Sequence, residues 1–197
     1  MGRVSDSVVS SVRAHLVAHI EGPEPAAASV TFLGVEPLDV LRFESPDSVV
    51  HYATLGCSRH PMGDPGDLVA DPTRGPRAEL VLSLRGGAGI ASGIARTLAV
   101  LAAAPSVEGI VLLDDALLDL GEPLWKGAAF TAVLLGDSGI EDLTLPEPMD
   151  PVRFLAVVPI TGTEAAWVRL RGAGALREAW AEAGIDVQDP HRAAASL

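Results

Sequence analysis

Three short stretches of this sequence carry the residue types that reactive sites use. The first, Arg85-Gly86-Gly87-Ala88-Gly89-Ile90-Ala91-Ser92-Gly93, follows an apolar run and precedes an Ala-rich one. Glycines at a strand-to-helix turn let the backbone approach a pyrophosphate held at the helix N-terminus. Acids ending the next strand, here Asp114 and Asp115, would then take the ribose hydroxyls. The spacing is off by one, because Gly87, Gly89 and Gly93 read G-x-G-x-x-x-G where the dinucleotide fingerprint reads G-x-G-x-x-G. A small nucleotide-binding enzyme using the turn 86–93 is the alternative reading, and a plain flexible turn is favoured over it.

The second stretch puts His15 and His19 four apart on one helix face, as in the first two ligands of many zinc sites. Leu16 follows His15 where a metalloprotease helix has Glu, and no third ligand is placed nearby, so no metal is expected. The third, Cys57-Ser58-Arg59-His60, gathers a thiol, a hydroxyl and an imidazole. Sequence neighbours do not by themselves make a nucleophile and its base, which need rigid elements and an oxyanion hole, and there is no G-x-S-x-G elbow. Ser58 and His60 are expected to bond the loop's own backbone. The sequence thus offers no coherent catalytic set and no cofactor.

The elements that position these stretches come next. Val8, Val9, Val12, Leu16 and Ile20 recur at helical spacing, with Ser5 and Asp6 as caps and Gly22-Pro23 as the stop near Glu21. Ser29 to Leu33, Val40 to Phe43 and Val49 to Leu55 read as strands. Gly56 to Pro76 is a long surface segment rich in Pro, Gly and Asp, and segments of that length tend to be functional. Arg77 to Arg85 alternates as a strand, and Ile90 to Ala104 reads as a helix ended by Pro105. Gly109 to Leu113, Ala128 to Leu135 and Val152 to Ile160 are further strands, the last broken at Pro159. Thr161 and Glu164 form a capping-box pattern that opens one closing helix, weakened at Gly172 and Gly174 and ended at Gly184. This order is not a regular βα alternation. It predicts an α+β fold, a mixed and mainly antiparallel sheet with helices against it, in which the helix bearing Trp167 and Trp180 covers Phe154, Val157, Leu80, Leu82 and Leu84.

Composition narrows the function. The 197 residues carry 26 carboxylates against 14 basic groups, a formal charge of -12, and Lys126 is the only lysine. Phosphate binding needs concentrated Lys and Arg, and the arginines cluster only at Arg169 and Arg171, which argues against nucleic acid. One cysteine excludes an internal disulfide, and no uninterrupted apolar stretch is long enough for a membrane helix. A soluble, cytoplasmic protein with a basic protein partner is expected, since opposite net charges speed encounter.

Several signatures, in order, resemble the suppressor-of-fused domain family. Gly56-Cys57-Ser58 and Pro61-Met62 look like its glycine-x-serine and proline-methionine turn, and Ala78-Glu79-Leu80 like its E-L strand. Pro123-Leu124 with Gly127 and Phe130 is similar to the following segment. Pro159-Ile160 with Glu164, then Gly172, Leu176 and Asp189-Pro190-x-Arg192, resemble its last strand, closing helix and tail. The resemblance implies a suppressor-of-fused-like domain over 28–192, with an N-terminal helix and linker over 1–27 and a tail over 193–197. It also implies a bacterial single-domain type that binds protein without catalysis, as an immunity or inhibitory protein neutralising a toxin-like or regulatory partner. The long segment is the expected contact surface. Arg59, His60 and Met62 offer a charged fork, an adaptable donor and a flexible apolar contact, and Asp64, Asp67 and Asp71 surround them, with the acidic connection 137–150 beside.

Overall fold

A computed structural model describes residues 2–63, 71–89 and 91–196. Its frame is one seven-stranded sheet ordered β1-β2-β3-β4-β7-β6-β5, built from β1 (Ala26–Val30), β2 (Leu38–Glu44), β3 (Val49–Leu55), β4 (Arg77–Arg85), β5 (Leu117–Asp119), β6 (Ala132–Asp137) and β7 (Val152–Ile160). Every neighbouring pair is antiparallel except β4 with β7. The mixed, mainly antiparallel α+β architecture is therefore the one expected. Strands β3, β4 and β7 have the predicted limits, because each is a run of alternating or continuous apolar residues bounded by Pro, Gly or charge.

The strand alternation sends neighbouring side chains to opposite faces. On one face Leu38, Val40, Tyr52, Leu80, Leu82 and Leu84, with Leu155 and Val157 of β7, meet the buried side of α2 (Ile94–Glu108). On the other face α1 (Gly2–His19) lays Val8, Val12 and Leu16 over Leu41, Phe43, Ala53, Leu55 and Phe154. Farther along that second face, α3 (Gly162–Arg171) and α4 (Ala173–Ala183) bury Ala165, Leu176 and Trp180 against Ala132, Leu134 and Ile160. The expected single layer is thus corrected. The Trp-bearing helices cover β6 and the end of β7, α2 covers Leu80, Leu82, Leu84 and Val157, and Phe154 belongs to α1.

Other departures have local causes. Ser5 and Asp6 lie inside α1 rather than capping it. The expected start of the Ala-rich helix, Ile90, lies outside the described residues. That helix begins only at Ile94, because Gly93 is left-handed at φ 87°, and it runs through Pro105 to Glu108. Proline is tolerated there because so little helix follows the bond it removes, and the Gly109 N–H closes the end on the Pro105 carbonyl at 3.2 Å. The 109–113 segment is not a strand. Its Leu112 is buried, and the Leu112 N–H lies 3.3 Å from the sulfur of Met62. The closing helix is two helices, because Gly172 at φ 85°, ψ 166° breaks it, while the Thr161–Glu164 capping box forms as expected. Pro159 stays within β7, pairing with Val133 of β6 beyond the stretch that β4 reaches.

Phe154 is 3% exposed and stacks on the His15 ring at 5.1 Å. Replacing it with Ala is expected to lower unfolding stability by about 3–5 kcal/mol, as large aromatic deletions do. An unmoved urea midpoint would show that the α1 layer contributes little.

Candidate functional site

The described parts of the 56–76 segment are held from within by two ionic side chains of β4. Glu79 is fully buried, and its Oε1 accepts the Gly56 N–H (2.9 Å), the Ser58 N–H (3.0 Å) and the Ser58 hydroxyl (2.6 Å). Its Oε2 accepts the Thr54 hydroxyl at 2.6 Å, while the Thr54 oxygen accepts the Leu80 N–H. Burial pushes the Glu79 carboxyl above its usual range, and these four donors limit the rise. Arg77, 3% exposed, donates to the carbonyls of Ser58 (2.8 Å), Arg59 (3.0 Å) and Thr73 (3.2 Å). One side chain therefore ties the segment's beginning to its end. Between them sits a short 3-10 turn, Cys57–Arg59.

The turn presents two of the six expected contact residues. His60 is exposed, with Nε2 2.6 Å from a Glu36 carboxylate oxygen, which requires the proton on Nε2. The Arg59 guanidinium lies 3.6 Å from the same carboxylate and donates to the Pro37 carbonyl. Met62 is corrected. Its side chain is 4% exposed and packs in the core under α2, so it presents nothing to a partner. Asp71 is exposed and accepts the Thr73 N–H (2.8 Å), the Arg74 N–H (3.0 Å) and the Thr73 hydroxyl (2.8 Å), bonds that hold its carboxyl below the usual range. Asp64 and Asp67 lie outside the described residues. The acidic connection does reach this face, because Asp150 accepts the Gly75 N–H at 2.6 Å.

Two hollows flank the turn. One of ≈ 220 Å³ lies toward α2, lined by Glu36, Cys57, His60, Ala103 and Ser106. The other, of ≈ 330 Å³, lies toward the start of α1, lined by Val8, Arg59, His60, Asp71, Arg77 and Met149. Burial, then the Glu79 charge, pushes the Cys57 thiol well above its usual range, so it is not poised as a nucleophile. Ser58 is turned to Glu79 and His60 to Glu36, so the two do not pair. The His15 and His19 rings lie 4.0 Å apart, tilted by 31°, with His15 Nε2 on the Glu141 carbonyl and His19 Nδ1 on the His15 carbonyl. In the glycine turn, the Tyr52 hydroxyl accepts the Ala88 N–H, and Asp114 and Asp115 end no strand but are ion-paired with Arg153 and Arg177.

A second buried carboxylate organises the opposite end of the sheet. Glu164, 0% exposed, pairs with Arg192 at 2.8 Å and 3.0 Å and also accepts the Trp180 indole N–H (2.9 Å), the Thr161 N–H (2.9 Å) and the Ala195 N–H (3.2 Å). Arg192 donates further to the Pro159 carbonyl at 2.8 Å and lies 5.0 Å from the Phe130 ring and 5.4 Å from the Trp180 ring. Phe130, Pro159, Glu164 and Arg192, scattered over 63 positions of sequence, are thus neighbours around one guanidinium.

The family model for the suppressor of fused protein (SUFU) matches residues 34–193. The chain belongs to the suppressor-of-fused family. A protein described as a SUFU homologue from Neisseria gonorrhoeae FA 1090 superposes with a TM-score of 0.64 at 20% identity, covering 98% of this chain and 97% of that one. The Sufu–Fu complex gives 0.62 at 14% identity over 98% and 91% of the two chains. Drosophila Suppressor of Fused gives 0.61 at 14% over 95% of this chain and 50% of its own. At such identities these likenesses show the fold. No curated protein matches the sequence. The motifs singled out in the sequence acquire physical meaning here, as Gly56-Cys57-Ser58 is the cradle of Glu79 and Asp189-Pro190-x-Arg192 delivers the partner of Glu164. Sequence reasoning missed Glu36 and Arg77, which lie outside any motif; only the position of Arg77 two residues before Glu79, on the same strand face, hinted at it.

The Glu164 pair makes a pH prediction. Burial raises its pKa, but the bonds from Arg192, Thr161 and Trp180 outweigh burial and hold it below the ordinary glutamate value. A carboxyl lowered in the folded state adds stability above its unfolded pKa, and that stability is lost as pH falls through the folded value. Glu164→Gln is therefore expected to lose roughly 3–5 kcal/mol at neutral pH, because Arg192 is left buried and uncompensated. The gap to the native chain should close in acid. A gap independent of pH, in denaturant titrations, would refute the assignment.

Proposed function

We propose that this suppressor-of-fused chain is a non-enzymatic protein-binding domain that restrains or neutralises a basic partner, as an immunity or inhibitory protein does. The supporting observation is the fixed platform at Cys57–His60. A buried Glu79 and a buried Arg77 hold backbone that otherwise buries little apolar surface, and this order is easier to understand if the surface is used. A protein of the same fold is known in a Sufu–Fu complex, which supports protein binding as the role. Arg59 and His60 present a cation and a donor beside the exposed Asp71, and Asp64 and Asp67 belong to the same segment. Among the described residues no helix is long and apolar enough to cross a membrane.

The carboxylates would act at long range and the turn at contact. With the chain as bait and the captured partner purified, changing Asp64, Asp67 and Asp71 to Lys is expected to slow association several-fold and flatten its salt dependence. Arg59→Ala and His60→Ala are expected to speed dissociation. Unaltered association rate and salt slope would remove this segment from the interface.

A further inference from the structure

The second face of the sheet is covered at its two sides and open in the middle. α1 lies over β2, β3 and the start of β7, while α3 and α4 lie over β6 and the end of β7. Between them, two hollows of ≈ 460 Å³ and ≈ 210 Å³ share Val81, Ser83, Ser138 and Gln188 and form one groove. Its floor is Val81 and Ser83 of β4, His51 of β3, and Ala156 and Val158 of β7. Ser83, His51, Ala156 and Val158 are only half-buried, although all stand on inner strands of the sheet.

Three adjacent strands at ~4.8 Å spacing leave a strip about 10 Å wide, which is the diameter of a helix with its side chains. The floor strands are paired on both sides, so an occupant cannot join the sheet and must be recognised by side chains. The rim decides its charge. Glu21, Asp47 and Asp137 line the groove, no Lys or Arg does, and among the described residues none of the three forms an ion pair. Asp137 also feels Arg153, whose own ion pair is with Asp114. His51 is hydrogen-bonded through Nδ1 to the Ser83 hydroxyl at 2.8 Å, and burial holds it below the usual imidazole range, so it adds little positive charge at neutral pH.

We propose that this groove docks a basic amphipathic helix of another protein, its aliphatic face on Ala156 and Val158 and its lysines or arginines on Glu21, Asp47 and Asp137. The helix takes the missing third position in the layer that α1 and α3–α4 begin. The groove lies at the C-terminal end of α1, roughly 18 Å along the helix axis from the Val8 hollow beside the Cys57–His60 platform. It is a separate surface and does not depend on the reading of that platform.

The test uses a synthetic lysine–leucine amphipathic helix as probe and its glutamate–leucine counterpart as control, followed by amide shifts and fluorescence anisotropy on the full chain. The lysine peptide is expected to perturb His51, Ser83, Ser138 and Ala156, and the glutamate peptide is not. Glu21→Gln with Asp47→Asn and Asp137→Asn should weaken binding roughly tenfold, the sum of three exposed ionic contacts. Ala156→Arg should abolish binding. Gln188→Lys, at the rim where the native side chain makes no hydrogen bond among the described residues, should weaken it with an unchanged melting temperature, which covers the case in which Ala156→Arg misfolds. Asp71→Lys should leave affinity unchanged. Equal binding of both peptides, native affinity in the triple and Gln188→Lys variants, or loss of affinity in Asp71→Lys would each overturn the groove. None of these results touches the platform assignment, which rests on the association kinetics of the captured partner.

Discussion

A carboxylate and a guanidinium taken out of water are costly unless each finds partners, and in the Glu164–Arg192 pair the carboxylate is fully satisfied and the guanidinium donates through both terminal nitrogens, only its Nε lacking a partner among the described residues. Glu164 is fully buried and Arg192 is 8% exposed, yet the carboxylate accepts from the guanidinium, an indole and two backbone amides. The consequence is geometric. The end of β7, the first turn of α3, Trp180 of α4 and the tail at Ala195 all converge on one carboxyl, so the last strand, both closing helices and the chain's final residues cannot be placed independently. Replacing the pair with apolar residues would cost little if the volume were matched, and what the charges add is this fixed convergence, because each bond has one direction and one length.

Glu79 solves the same problem without a cation. Four protein donors replace water, but burial still outweighs them, and its carboxyl is displaced upward where that of Glu164 is displaced downward. The contrast follows from the presence of Arg192 in one site and its absence in the other. Arg77, which could have neutralised Glu79, spends its two terminal nitrogens on the carbonyls of Ser58, Arg59 and Thr73. The two buried ions of β4 thus fix the backbone of the 56–76 segment from both polarities, the acid through N–H groups and the base through C=O groups.

Much of the frame was legible in the sequence because the inner strands are bounded by punctuation. Val49–Leu55, Arg77–Arg85 and Val152–Ile160 are each dense in apolar residues and end at a Gly, Pro or charge, and the Thr161–Glu164 box announces α3. Edge strands were not legible. β1 is Ala-Ala-Ala-Ser-Val, with no β-branched residue until its last position, and β5 has only three residues, so both are set by their partners in β2 and β6 rather than by their own propensity. The candidate site was half legible. His60 stands outward as its type suggested, the Arg59 side chain is mostly covered at 15% exposure, and Met62 turned inward because a flexible thioether beside Leu112 fills a gap in the core better than it serves the surface. The role of Glu36 depends on a contact across 24 positions that no local pattern encodes.

The charge excess acquires a direction once the ion pairs are known. Arg13, Arg42, Arg59, Arg85, Arg153, Arg169, Arg177 and Arg192 are each within ion-pair distance of a carboxylate, so most of the chain's few cations are already matched. Matched pairs produce little field at a distance, and the potential felt by an approaching molecule is then set by the carboxylates left over, at a net -12. Exposed pairs of this kind add little stability, so their effect is chiefly to remove positive charge from the surface. A partner drawn in by such a field would be basic wherever it finally docks, and the fold supplies hydrophobic relief in only a few places. Specificity must then come from shape, and the half-buried strip between α1 and α3–α4 is a place where shape and residual negative charge coincide.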